Sequence, residues 1–179
     1  MFLWQTYLRW RHSRGYGVHS PYGFRFINEV MRPGDYAYYS YHELETLLLE
    51  NQCCSSTNRR NGEFLIRLIR FLDTRRLVVR CSDPGFYKIV ALASNIEFQN
   101  LSSENKISFK KGDLLLTEGE GEEQIGEAIG EGIPVYCINP GKLERELLES
   151  PIGNGLLIDW RKKKLLIPRQ EMQYVSYRV

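Results

Sequence analysis

Apolar residues fall at helical spacing early in the chain, alternate between helical and strand patterns in the middle, and settle into short β-like runs at the end. Ser20-Pro21 reads as a helix start, with serine as N-cap and proline in the first turn, and Arg32-Pro33-Gly34-Asp35 stops the helix. Ser40-Tyr41-His42-Glu43 fits a capping box ahead of a stripe at Leu44, Leu47 and Leu48. Residues 51–61 read as a polar loop. Phe64, Leu65, Leu68, Ile69 and Leu72 then share one helical face, with Arg67 and Arg70 on the other. Leu77-Val78-Val79 predicts a strand, followed by a helix over 88–94 and short strands over 96–98 and 107–109. A weak helix over 118–131 carries Ile125 and Ile129 on its apolar face. Strand 134–138, a turn at Asn139-Pro140-Gly141 and helix 143–149 complete the alternation, and runs at 156–158, 165–167 and 174–177 predict terminal strands.

This order of elements predicts an α/β domain: a mostly parallel sheet over 63–149, closed at its edge by antiparallel strands, behind an N-terminal helical extension over 1–62. The division is 1–62 and 63–179, packed as one compact unit. In such a domain the first strand-to-helix turn is where a nucleotide-like cofactor sits, because glycines let the backbone approach the ligand and an acid on a nearby strand holds ribose hydroxyls. The turn here is Cys81-Ser82-Asp83-Pro84-Gly85. Only Gly85 meets the glycine requirement, and Cys81 and Pro84 stand where glycine would suit.

Composition narrows the classes without naming one. The chain has 179 residues, 42% hydrophobic and 26% charged, which suits one globular domain. A net charge of +2 is too small to imply a polyanion partner. Cys53, Cys54, Cys81 and Cys137 form no C-x-x-C pair and no metal-ligand spacing, so reduced thiols and no metal are expected. No signal-like apolar core precedes Arg14 and no run approaches a membrane span, so a cytoplasmic, non-membrane protein is expected. Basic residues do concentrate: five arginines and two histidines against the single acid Glu29 lie between Arg9 and Arg32, interleaved with aromatics. That composition suits single-stranded nucleic acid, a homodimer interface, or aromatics packing on a core. The near-helical spacing of Tyr7, Trp10 and Phe24 within their short helices favours packing.

Arg14-Gly15-Tyr16-Gly17-Val18-His19-Ser20-Pro21-Tyr22-Gly23-Phe24 resembles the G-V-H-S-P-F signature of a bacterial group of class I S-adenosylmethionine-dependent methyltransferase-like proteins. The tail from Leu157-Ile158-Asp159-Trp160 to Tyr177-Arg178-Val179 is similar to that group's final strand pair, and the helix and strand over 64–79 match the elements before its cofactor loop. The resemblance implies a Rossmann-like methyltransferase fold, S-adenosylmethionine as cofactor and a small-molecule acceptor. Aligned on Gly85, the family's E-x-G-x-x-x-G loop puts Val79 at the acid and Cys81 at the first glycine, with Asp83 inside the loop. Glu97 takes the ribose-binding position, Asp113 the acidic turn near the adenine, and Asn139 replaces the carboxylate of the family's I-D-G. His19 and Asn139 are then the polar candidates near an acceptor.

These departures all run toward loss. A side chain at Cys81 crowds the methionine moiety, and Pro84 removes a backbone donor. The resemblance therefore implies a degenerate homologue with weak or lost cofactor binding and catalysis. The alternatives are an active small-molecule O-methyltransferase and a non-catalytic basic–aromatic module binding nucleic acid or protein. On composition alone, Asp83-Pro84-Gly85 and Asn139-Pro140-Gly141 are turns, Glu97 is a solvated edge residue, and His19 bonds a helix end.

Overall fold

A computed structural model of the chain describes residues 20–32, 39–101, 107–118, 122–149, 155–160, 162–169 and 174–178. Helix α1 (Pro21–Phe26) starts as its sequence demands: Ser20 Oγ accepts the Gly23 N–H at 3.2 Å, with proline in the first turn. It runs on into a wider π-type turn over Ile27–Met31. Helix α2 (Tyr39–Glu50) corrects the expected capping box. Ser40 lies inside the helix, buried, and its Oγ accepts from Arg70 Nη2 at 2.7 Å instead of capping anything.

Helix α3 (Ser56–Phe71) corrects the expected polar loop. Ser55 is the N-cap, its Oγ accepting the Asn58 N–H at 3.0 Å, so the connection from α2 is only five residues and 56–61 are helical. Gly62 sits inside α3 because α2 passes close by: a Cβ there would stand 2.7 Å from Leu44 Cδ2. The expected boundary at 62/63 thus falls within α3. The arginines on its outer face are not simply solvated. Arg67 donates through Nε to the Val30 carbonyl at 2.7 Å and through Nη1 to Tyr41 Oη at 3.0 Å, tying α3 to the π-type turn and to α2.

Beyond α3 come β1 (Arg76–Arg80), α4 (Gly85–Ala93), β2 (Glu97–Asn100), β3 (Asp113–Glu118), α5 (Glu122–Gly130), β4 (Val135–Ile138), α6 (Lys142–Glu149), β5 (Gly155–Trp160), β6 (Lys163–Pro168) and β7 (Val175–Arg178). Among the described residues these strands make one seven-stranded sheet, ordered β2-β1-β3-β4-β6-β5-β7. β1 to β4 pair in parallel, β6 runs against both β4 and β5, and β7 is parallel to β5. The antiparallel strand is therefore not at the edge, as expected, but set into the sheet.

Strand β3 corrects the expected strand at 107–109, which is irregular. Gly112, at φ +96°, makes the turn into β3, a backbone conformation that an L side chain resists. Leu114, Leu115 and Leu116 are all fully buried, and each contributes about 1.5–3 kcal/mol by leaving water. Strand alternation divides the core between the sheet's two faces. Leu77, Val79, Leu114, Leu116 and Tyr136 pack under α1 to α4, while Val78, Leu115, Val135 and Cys137 pack under α5 and α6. No described helix is long and apolar enough to cross a membrane.

Candidate functional site

Connections leave β1 in opposite directions, through α4 to β2 on one side and onward to β3 on the other. The crevice outside the carboxyl ends of β1 and β3 is thus a topological switch point, where open α/β sheets bind ligands. A cavity of about 390 Å³ lies there, its lining including Asn61, Asp83, Gly85, Tyr87, Glu118 and Lys163. A second, of about 450 Å³, adjoins it and is lined by Asn61, Phe64, Tyr136, Trp160, Lys162 and Lys163.

The residues singled out from the sequence divide between opposite edges of the sheet. Cys81, Asp83 and Gly85 follow β1 at its carboxyl end. Glu97 and Asp113 open β2 and β3, both in register with Arg76 at the amino end. A five-residue strand separates the two groups by on the order of 15 Å. Asp113 is 4% exposed and takes Arg76 through both carboxylate oxygens, the Nε bond being 2.9 Å, while Lys110 N–H donates to it at 2.8 Å. Arg76 also donates to Gln99 Oε1 at 2.8 Å and to the Ser108 carbonyl at 3.1 Å. The Asp113 hydrogen bond, with Glu97 nearby, raises the guanidinium pKa further. Asp113 is thus a structural ion-pair residue. Glu97 is exposed, and the carboxyl end of β2 carries Asn100 in register with Val79 instead of an acid.

At the carboxyl edge, the Asp83 carboxylate accepts the Gly85 N–H at 3.1 Å, and Pro84 occupies the N-cap of α4. A negative side chain therefore already holds the first turn of that helix, where a ligand's anionic group would otherwise bind. Cys81 is half-buried against the core and does not line either cavity. Burial, with Glu118 nearby, pushes its thiol up to about 11, so it is not an activated nucleophile. Tyr87 Oη hydrogen-bonds Glu118 across the mouth between α4 and β3. Burial first, and that bond second, hold the Tyr87 pKa well above the usual phenol.

Asn139 stands after β4 in the left-handed region, at φ +52°, with its N–H donating to the Lys162 carbonyl at 2.6 Å. Its backbone makes a turn against the β5–β6 hairpin, and the residue lines neither cavity. His19 lies outside the described residues. Of the basic–aromatic segment, Tyr22, Arg25 and Phe26 make internal contacts, while Phe24 is exposed. Arg25 pairs with Glu29 at 2.9 Å, Phe26 is fully buried, and Tyr22 packs on Phe71 at 5.0 Å with Arg169 above its ring at 4.1 Å.

Several residues that build the site carry no sequence motif. Asn61 and Phe64, one helical turn apart on α3, reach over the sheet. Tyr136, Lys163 and Trp160 come from β4, β6 and β5. Register places Lys163 opposite Ile138 and Trp160, and Tyr136 opposite Leu165, so the three share one face on adjacent strands. Lys163 Nζ donates to Asn61 Oδ1 at 3.3 Å, and burial lowers its pKa. The one sequence signal was the alternation of Lys163, Leu165 and Ile167, which puts the lysine on the face of two core residues. No known protein family, characterised protein or solved structure matches the chain.

Proposed function

We propose that this chain is a homologue of the S-adenosylmethionine-dependent methyltransferases, with a Rossmann-like fold, whose cofactor binding and methyl transfer are weak or lost. The parallel strands with one reversed strand near the end, and a crevice at the switch point, support the ancestry. The observation that carries the loss is the separation of the candidate ligands. Glu97 and Asp113 lie at the amino edge, and the carboxyl edge presents Cys81, a helix start held by Asp83, and Asn100 in place of a ribose-binding acid. These residues do not fit the cofactor, since the methionine carboxylate would face Asp83 and the ribose diol would lack its carboxylate partner.

Each ribose hydroxyl left without its partner costs about 1–3 kcal/mol, and several such losses together remove measurable affinity. Methyl transfer depends chiefly on an aligned cofactor, so it fails with binding. Titration calorimetry of the folded protein with S-adenosylmethionine and S-adenosylhomocysteine tests this. The expected result is no saturable heat at millimolar ligand. Micromolar binding of either ligand overturns the proposal and returns the active O-methyltransferase alternative.

A further inference from the structure

We infer that the cavity between α3 and the strands β4, β6 and β5 is a binding site for a planar aromatic carboxylate, gripped by Lys163 and Tyr136 and walled by Phe64 and Trp160. Three aromatic rings in mutual contact form a wall of the space. Phe64 and Trp160 meet edge to face with centroids 5.8 Å apart, Tyr136 and Trp160 stand perpendicular at 6.3 Å, and Phe64 and Tyr136 lie 5.8 Å apart. Rings so arranged present edges and faces to a flat guest, which gains more from them than a flexible chain would. A volume of about 450 Å³ is within the usual span of small-molecule sites.

Two polar groups on the cavity floor call for an acceptor. Tyr136 is 1% exposed as a residue, it lines the cavity, and among the described residues its hydroxyl makes no hydrogen bond. A hydroxyl that reaches a cavity without a protein partner can donate to a guest. Lys163 has Asn61 as its hydrogen-bond acceptor, and no described carboxylate lies within ion-pair distance of it. Cross-strand register sets the two residues diagonally on adjacent strands, a spacing of about 7–8 Å that a carboxylate between them can bridge. Its oxygens would accept from the phenol and the ammonium together. Lys162, exposed at the rim, adds a second positive charge that attracts an anion. Burial of Lys163 disfavours its charged form, and an anionic guest removes that penalty.

Calorimetry on the full chain tests the assignment with three probes: 2-naphthoate, its neutral analogue 2-naphthalenemethanol, and acetate. The expected result is saturable binding of naphthoate, binding of the alcohol about tenfold weaker, and no saturation by acetate. Lys163→Met should weaken naphthoate about tenfold and leave the alcohol unchanged, and Tyr136→Phe should weaken naphthoate about fivefold. Far-UV circular dichroism checks that each variant folds, and Lys163→Gln replaces the methionine variant if that one does not. Absence of saturable naphthoate binding, equal binding of acid and alcohol, or wild-type affinity in both the lysine and tyrosine variants overturns the inference. Asn61, Phe64, Tyr136 and Lys163 line both cavities, and the two titrations stay distinguishable because the naphthoate test is read against its neutral alcohol and against the Lys163 and Tyr136 variants.

Discussion

The two edges of the sheet handle polar groups in opposite ways. At the amino edge, Arg76 and Asp113 saturate one another, with Gln99, the Ser108 carbonyl and the Lys110 N–H completing the set. At the carboxyl edge, Tyr136 makes no hydrogen bond through its hydroxyl among the described residues, Lys163 has an amide as its acceptor, and both cavities open beside them. Closed networks hold a fold together. Groups left short of partners are where a ligand can add something.

Removing a partner at each edge sharpens the contrast. Arg76→Leu strands a buried carboxylate and should cost about 3 kcal/mol, a fall in Tm of roughly 6–12 °C by calorimetric melting. A loss below 1 kcal/mol would dissolve the distinction. Tyr87→Phe removes a bond to Glu118, which is exposed and can turn to water, so the cost should be about 1 kcal/mol in urea denaturation. A cost as large as that at Arg76 would mean the carboxyl edge is structural too.

The smallest effect is expected at Lys163. Burial lowers its pKa in the fold, while in the unfolded chain the lysine keeps a pKa near about 10.4. The unfolded state therefore binds the extra proton between those two values. Folding carries the full penalty at pH below the folded pKa and loses it as pH rises toward the unfolded one. Stability of the wild type relative to Lys163→Met should thus improve as pH is raised from about 7 to about 10. Urea midpoints measured across that range check the direction. A gap that is flat or widens the other way would show that Lys163 is not held at an energetic cost.

Much of the architecture was legible in the sequence, because β-branched and capped segments announce themselves. Ser20-Pro21, Leu77-Val78-Val79 and the three terminal strands have the expected form. Strand β3 was not legible: Leu114-Leu115-Leu116, buried on both faces, has neither alternation nor β-branching, so its period is ambiguous. Missing it put Asp113 in a turn and hid which end of the sheet the acid occupies. The first turn and a half of α3 was hidden because Ser, Thr and Asn are poor helix formers that read as loop. That error concealed Asn61, and with it one wall of the site. The rest of the site depends on register between strands distant in sequence, which no local pattern encodes.

Because β6 runs backwards within an otherwise forward sheet, its first residue arrives where its neighbours finish. Trp160, Lys162 and Lys163, at the tip of the β5–β6 hairpin, therefore line the cavity while its two legs stay anchored in the core. These three positions supply a ring, a rim charge and an ammonium. Preference for one guest over another can then be rewritten by exchanging this short tip alone, with the scaffold beneath left intact. In that sense the reversed strand makes the site modular, a cartridge that selection or an engineer can swap.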